Sequence, residues 1–246
     1  MTKQKLSKKI LNICIVCMII IMIIFVSVMF ILNYNENGET DMPFQISKIS
    51  IISTTDGQDA ENQNFRWAIN VVQNNDINIY IEKNSTHRKQ ETIKSVILDN
   101  FQINTAPSIG SINFYKPIED TVSLFKNSNE NKFETLEFKG SKTTNSGKLE
   151  ISNQGGIVRF RCANLNVATY TSNKDEEINY KDLLKKLNIN EQDLISEFSF
   201  DMEILLDSGK TFKAEGIKLK VPNENIVNEG TVGHEYTDLQ DIIFKR

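Results

Sequence analysis

The sequence predicts an N-terminal transmembrane helix followed by a mainly β, extracytoplasmic antiparallel β-sandwich with a small helical insert near residues 179–196. Two observations lead to this prediction. An unbroken apolar run covers residues 10–32, and later segments alternate apolar and polar residues between polar turns. Alternation with a period of two is typical of half-buried strands, and many short strands of this kind are typical of a sandwich.

The apolar run at residues 10–32 predicts an uncleaved membrane anchor. At about 1.5 Å per residue a helix of this length spans roughly 35 Å, enough to cross a hydrocarbon core of about 30 Å. Residues 1–9 form a short basic segment with four lysines, which the positive-inside rule places in the cytoplasm. A cleaved signal peptide would have a shorter run ending at small residues, whereas the first alanine is Ala60. We therefore expect a single-pass protein of the cell membrane whose C-terminal domain lies outside and whose first partner is the lipid bilayer.

The remainder of the chain divides into a linker and one domain. Residues 33–45 are polar without an apolar period and predict a stalk. Residues 46–246 predict one extracytoplasmic domain, since the length supports a sizeable core and no Pro/Gly-rich linker marks a second boundary.

The first predicted hairpin joins two alternating segments, residues 65–71 and 77–81, through a polar turn at 73–76. Trp67 has the same parity as Ile69 and Val71, so we expect its side chain to be buried.

Further strands are predicted around residues 96–103, 112–114, 136–138, 149–151, 158–162 and 167–169. In the first of these the apolar parity switches at Asp99-Asn100, which predicts a bulge. The helical insert has two short helices, which Asn179 and Asn190 are expected to cap. The clearest strand, residues 198–206, returns through a hairpin turn at 207–210, and Gly216 marks a second parity switch. A polar stretch, 223–234, precedes a last strand at 242–244.

Charge and composition exclude several functions. Of the 28 lysines and arginines, four precede the apolar run, which leaves 24 against 32 acidic residues and a formal charge of about −8 outside the membrane. The chain has no basic stripe, so we expect no nucleic-acid partner. It also lacks a P-loop, a dinucleotide fingerprint and a nucleophile elbow, so no cofactor is predicted. Enrichment in Asn, Ile and Lys favours a bacterial origin.

His87, His234 and Cys162 are the candidate catalytic residues. The size, the single anchor, the β-rich outer part and one outer cysteine after a histidine resemble the architecture of sortase-type cysteine transpeptidases. In that family the cysteine follows Thr-Leu-x-Thr and an arginine lies downstream, whereas residues 158–161 here are Val-Arg-Phe-Arg and the only later arginine is Arg246. Because Cys162 has the parity of Val158, we expect a buried, inert thiol.

Asp56, Asp59 and Glu61 form the candidate metal site, although solvated turn residues are the preferred interpretation. Without a clear catalytic set, the sequence favours a non-catalytic binding or scaffolding module of the bacterial cell envelope. Its partner would be an envelope protein or a cell-wall component. The alternative is a divergent envelope-acting enzyme, either a cysteine transpeptidase or a hydrolase.

Overall fold

The structure, a computed structural model, describes residues 2–63, 65–87, 89–117, 125–127, 130–142 and 149–246. One long helix precedes thirteen strands and two short helices. These elements are α1 (Thr2–Asn37), β1 (Phe44–Gln63), β2 (Arg66–Lys83), β3 (Ile93–Thr105), β4 (Ser111–Tyr115), β5 (Phe125–Asn127), β6 (Glu130–Phe133), β7 (Leu136–Ser141), β8 (Glu150–Ser152), β9 (Gly156–Thr171), α2 (Leu183–Lys186), β10 (Glu197–Leu206), β11 (Thr211–Lys220), α3 (Ile226–Glu229), β12 (Thr231–Tyr236) and β13 (Phe244–Lys245). Single 3₁₀ turns at Tyr180–Asp182 and Glu191–Leu194 flank α2.

The strands form two large sheets and one small one. The first sheet has the order β12-β1-β2-β9-β4 and the second has the order β13-β11-β10-β3-β7-β8. β5 and β6 pair as a separate two-stranded sheet. The described pairs are antiparallel apart from β7 and β8, which are parallel, so the prediction of a mainly β, antiparallel fold is confirmed with this one exception.

One apolar cluster contains side chains from both large sheets. Phe160 of β9 lies 5.5 Å, centroid to centroid, from Phe200 of β10, and Phe114 of β4 lies 5.3 Å from Phe198. All four rings are nearly or fully inaccessible to solvent. Burying an aromatic side chain stabilises a fold by about 1.5–3 kcal/mol, so these contacts make a large contribution.

A second apolar cluster lies farther along the first sheet, under the helical insert. Val71 of β2 packs there with Leu183, Leu184 and Leu194 of the insert and with Ile226 of α3. The predicted insert is therefore present, and the side chain of Asn179 caps it by accepting a hydrogen bond from the Lys181 amide. Asn190 precedes the second turn without a side-chain capping bond, contrary to expectation.

Both predicted parity switches are bulges. Asn100 has φ of +51° where the β3–β10 register shifts, and Gly216 has φ of +63° where the β10–β11 register shifts. Asp201 of β10 accepts a hydrogen bond from the Gly216 amide at 2.8 Å, so its carboxylate partners a backbone group that the bulge releases.

The predicted turn at residues 73–76 is wrong, because β2 runs through it without a break. Gln73, Asn74 and Asn75 are buried. The side-chain amide of Gln73 donates to Asn223 Oδ1 at 3.1 Å. The side-chain amide of Asn75 donates to the Cys162 carbonyl at 2.8 Å. These tertiary hydrogen bonds allow amides in a strand interior.

The polar stretch at 223–234 differs from the sequence interpretation, since it includes α3 and much of β12. β12 forms the outer edge of the first sheet by pairing with β1. The last strand begins two residues later than predicted, at Phe244, and pairs with β11.

The segment predicted as a stalk has a different structure. Residues 33–37 continue α1 and β1 begins at Phe44, so only Gly38 to Pro43 connect them. Met42 and Phe44 belong to the main apolar cluster. These contacts make the connection part of the folded domain, a role that its polar composition conceals.

Candidate functional site

The structure separates the three candidate catalytic residues. Cys162 is fully buried on β9, and burial raises the pKa of its thiol. His234 lies on β12, three strands away in the same sheet, a separation of roughly 14 Å. His87 follows β2 near α1, where its Nδ1 lies 2.7 Å from Asp41 Oδ1. The thiol therefore has neither histidine within hydrogen-bonding reach.

The candidate metal residues Asp56, Asp59 and Glu61 lie on β1 rather than in a loop. Asp56 Oδ1 accepts a hydrogen bond from the Gly57 amide at 2.8 Å. The side chain of Asp59 is not among those that the structure describes. Among the residues that the structure describes, no three His, Cys, Asp or Glu side chains are grouped to hold a metal ion.

The most distinctive surface feature is the end of the β1–β2 hairpin. We call Phe65, Arg66 and Trp67 the hairpin tip. Phe65 lies in the turn between the two strands, and Arg66 and Trp67 begin β2. The side chains of Phe65 and Trp67 are 67% and 39% exposed. The expectation that Trp67 is buried is therefore wrong. Period-two alternation assigns Trp67 to a face of the sheet, but the described residues cover this face only partly so close to the turn.

The backbone at Phe65 is strained. Its φ of +66° lies in the left-handed region, which bulky residues seldom adopt. The conformation costs about 1–2 kcal/mol for a residue with a Cβ. Phe65 therefore disfavours folding in two ways, through its exposed apolar ring and through its strained backbone. Strained backbone positions concentrate at functional sites.

A neighbouring loop, residues 173–176, holds the hairpin tip from one side. Ser172, just before it, accepts a hydrogen bond from the Trp67 amide at 2.8 Å and donates its own amide to the Trp67 carbonyl at 2.9 Å. The Asp175 amide donates to the Phe65 carbonyl at 3.3 Å. Lys174 Nζ lies 5.4 Å from the centroid of the Phe65 ring, within the range of a cation–π contact.

Glu176 fixes this loop by accepting hydrogen bonds from three donor groups. Its carboxylate accepts from Lys186 Nζ at 2.6 Å, from the Asn173 amide at 2.8 Å and from the Tyr170 hydroxyl at 2.8 Å. These donors, the Lys186 ammonium first, lower the pKa of Glu176 to about 2. The loop that bonds to the backbone of the hairpin tip is therefore itself held in place by these hydrogen bonds.

The base of the domain is fixed to α1 at several points. The Tyr34 hydroxyl accepts from the Arg246 amide at 2.6 Å, and the Glu39 amide donates to the Phe244 carbonyl at 2.8 Å. The Asn84 side chain donates to the Met42 carbonyl at 3.1 Å. The chain's C-terminal residues thus hold the end of the helix, and the loop after β2 holds the connection that follows it.

The hairpin tip and α1 lie at opposite ends of β1. β1 has 20 residues and starts at Phe44, with six residues between it and the end of α1. At about 3.3 Å per residue it extends over roughly 60 Å, allowing for twist and bulges. The structure thus places an exposed aromatic pair as far from the helix as the longest strand allows.

The sequence contains a weak indication of a turn before Phe65, which the alternating pattern of residues 65–71 led us to overlook. Residues 62–64 are Asn-Gln-Asn, a polar run typical of a turn, and they directly precede Phe65. A turn there would have predicted two aromatic residues beside a hairpin end.

Comparison with known proteins gives no further assignment. The chain matches no protein-family model, no curated protein and no solved structure. The features that bear on its function are therefore its own: an apolar helix, a buried thiol and a braced aromatic tip.

Proposed function

We propose that the protein is a single-pass, non-catalytic binding module of the bacterial cell envelope. In this proposal α1 anchors it in the cell membrane with the N-terminus in the cytoplasm. The outer part is a β-sandwich that presents the hairpin tip to an envelope protein. The observation that carries the proposal is the exposure of Phe65 and Trp67 at the end of β1 opposite the helix.

Anchoring is supported by the length and surface of α1. Its segment from Asn12 to Asn37 contains an 18-residue stretch with a mean hydropathy of 3.4 and is long enough to cross a bilayer, a property that signal sequences share. Its described apolar side chains are exposed, so a lipid environment would satisfy them. Tyr34, near the end of α1, is hydrogen-bonded to Arg246, and Met42 and Phe44, just beyond the helix, pack in the main apolar cluster, which favours a retained helix over a cleaved one.

The sandwich arrangement is supported by the aromatic contacts between the two large sheets. Phe101 of β3 stacks 5.7 Å from Phe200 within the second sheet and lies 5.3 Å from Phe160 of the first. Each sheet contributes one apolar face to the same cluster, which is the relationship that two packed sheets require.

A protein partner is supported by the residue types at the tip. Tryptophan, arginine and phenylalanine are enriched at protein interfaces, where buried aromatic and arginine anchors provide most of the binding free energy. Lys174 lies over the Phe65 ring and Arg66 is the next residue in the chain, so a complementary surface would offer an apolar pocket with an acidic rim. The hydrogen bonds to the backbone of Phe65 and Trp67 lower the entropic cost of binding because this part of the chain is already held in place.

Photo-crosslinking in living cells tests this proposal. A photoreactive amino acid replaces the exposed Thr171, which pairs with Ala68 beside the tip. We expect a discrete adduct with another protein that disappears when Phe65 and Trp67 are both changed to alanine. The control probe replaces Ile103, which is as exposed as Trp67, at 39%, but lies on β3. An identical adduct from both probe positions, or one that persists in the double variant, would contradict binding at the tip.

A further inference from the structure

An apolar cleft lies between the end of β3 in the second sheet and the start of β4 in the first. It has a volume of about 510 Å³, and most of its exposed surface is apolar. The apolar side chains of its lining are those of Phe101, Ile103, Ala106, Pro107, Ile112 and Phe133. None of the described lining residues is charged, although charged residues make up 24% of the chain, so the cleft disfavours a charged ligand.

Ile103 shows that the core is incompletely covered at this cleft. It has the parity of Phe101, which is 5% exposed, and it pairs across the ladder with Phe198, which is 1% exposed. Paired residues in neighbouring strands point to the same face of a sheet, so Ile103 faces the core. Its side chain is nevertheless 39% exposed. The described residues therefore leave a gap between the sheets that a further apolar side chain would fill.

The ring of Phe133 closes one end of this gap. Its centroid lies 6.3 Å from that of Phe101 and 4.8 Å from that of Phe114. Phe133 comes shortly before β7, which pairs with β3 at residues 95–98 only. The other end of the gap, beside residues 102–105 of β3, has no such cover among the described residues.

Free strand edges border the cleft on both sides. β10 pairs with one edge of β3 as far as Thr105, but the described residues place no strand beside the other edge at residues 102–105. β4 is the last strand of the first sheet, and its described strand partner is β9, on one side. The main-chain N–H and C=O groups of a free edge can pair with an added strand.

An apolar gap beside free strand edges favours an extended polypeptide as the ligand. The main chain of an added strand pairs with the edge, and its alternate side chains point to the face that the gap opens onto. A lipid chain or a small apolar molecule would fill the gap but leave the edge groups without a strand partner.

A second copy of this chain does not fit this edge under the sandwich and the anchoring proposed above. Two identical strand edges pair antiparallel about a twofold axis that lies across the strands. Strands of packed sheets lie within about 30° of one another, so β3 runs roughly along β1, between the helix and the hairpin tip. The axis would place the two copies of α1 at opposite ends, and one membrane could not hold both. The added strand therefore belongs to another protein.

We propose that this cleft binds an extended, uncharged segment of another protein. The segment pairs with the free edge of β3 at residues 102–105 and places alternate apolar side chains beside Ile103 and Ile112. The site is separate from the hairpin tip. A bound segment would give the Ile103 crosslinking probe an adduct of its own, different from the adduct of the tip.

Peptide selection tests this proposal. A phage-displayed library of random heptapeptides is screened against the full chain in lipid nanodiscs, after empty nanodiscs have removed the peptides that bind lipid. We expect enriched peptides that carry apolar residues at alternate positions and no charge. Methylating the backbone nitrogens of one alternate set of residues should abolish binding of an enriched peptide. Methylating the other set should have a much smaller effect, because only one set of N–H groups faces β3.

Matched lysine variants locate the site. Ile103→Lys places an ammonium group at the apolar cleft and should weaken binding of an enriched peptide roughly tenfold or more. Ser111→Lys, at an exposed residue of the opposite wall, should act in the same direction and replaces the first variant if that one misfolds. The control is Ile52→Lys, because Ile52 is a 46% exposed isoleucine on β1 that does not line the cleft. This control should retain the wild-type affinity.

Three results would overturn the proposal. The first is a selection that enriches no peptide, or equal losses of affinity in Ile103→Lys and Ile52→Lys. The second is binding that backbone methylation of either set leaves unchanged, which would indicate apolar contact without strand pairing. The third is a disulfide-linked dimer of Ile103→Cys in a chain whose Cys14 and Cys17 are replaced by alanine, which would assign the cleft to a second copy.

Discussion

The Phe244 carbonyl occupies the space in which a side chain at Gly38 would lie. A Cβ at Gly38 would be 2.6 Å from Ile243 Cγ2 and closer still to the Phe244 oxygen. Gly38 also has φ of +67°. This residue therefore allows the end of α1 to meet the C-terminal strand, which makes the helix and the domain one connected unit.

Gly38→Ala should destabilise the protein more than Gly209→Ala does. Both glycines have a positive φ, but a Cβ at Gly209 would have nothing within 4 Å. The backbone strain is common to both variants, and the collision at Gly38 should add roughly 1–3 kcal/mol. Urea unfolding of the full chain in detergent, followed by the emission of the single tryptophan, measures the difference. Equal losses would show that the helix is not held by this contact.

Phe65→Gly should raise the free energy of unfolding by about 1 kcal/mol, because glycine adopts the left-handed conformation without strain. Phe65→Ala keeps the strain and serves as the control, with little change in stability expected. Both variants should lose the tip adduct in the crosslinking experiment. A less stable Phe65→Gly protein would mean that the aromatic ring supports the fold rather than a partner.

The alternating pattern predicted the strands well wherever an alternating strand of one sheet packs against alternating strands of the other sheet. Residues 198–206 and their return strand have the predicted face, bulge and hairpin turn, because each feature depends on neighbouring residues. The buried amides at 73–75 could not be predicted in this way. Asn223, the partner of Gln73, lies 150 residues away in the chain, and nothing local distinguishes a buried side-chain amide from one in a turn.

The tip and the base of the domain were also beyond local patterns. Parity placed Trp67 correctly among alternating residues but could not indicate that its face is uncovered. Similarly, residues 33–45 look like a solvated linker, yet Glu39 bonds to Phe244 near the opposite end of the chain. In both regions, whether a residue is buried or exposed depends on which distant segment of the chain packs against it.

Phe198→Ala should cost about 3–5 kcal/mol, since the ring is 1% exposed between the two sheets. Glu203→Ala on the same strand should cost far less. Asp201 is 6% exposed and accepts a hydrogen bond from the Gly216 amide, so Asp201→Ala should fall between the two at about 1–3 kcal/mol. Chemical denaturation ranks the three variants. Comparable losses for Phe198→Ala and Glu203→Ala would contradict the packed face.

Acid should loosen the support of the tip through Glu176. Its pKa is lowered from 4.5 to about 2, so its charged form stabilises the folded state above the unfolded pKa. That contribution is lost as the pH falls from 4.5 through about 2. Glu176→Gln should therefore be less stable than the wild type at neutral pH, with the difference vanishing near the lower value. A difference that stays constant across this range would show that the carboxylate charge is not involved.

Thiol labelling of intact protoplasts tests most directly the claim that an anchored domain presents its tip outside the cell. The variant Phe65→Cys is made in a chain whose Cys14 and Cys17 are replaced by alanine, and a membrane-impermeant maleimide is added. The account predicts rapid labelling at position 65 before lysis, while Cys162, buried with its thiol pKa raised, reacts only after denaturation. Labelling of Phe65→Cys only after lysis would contradict the orientation, and rapid labelling of native Cys162 would contradict the buried thiol.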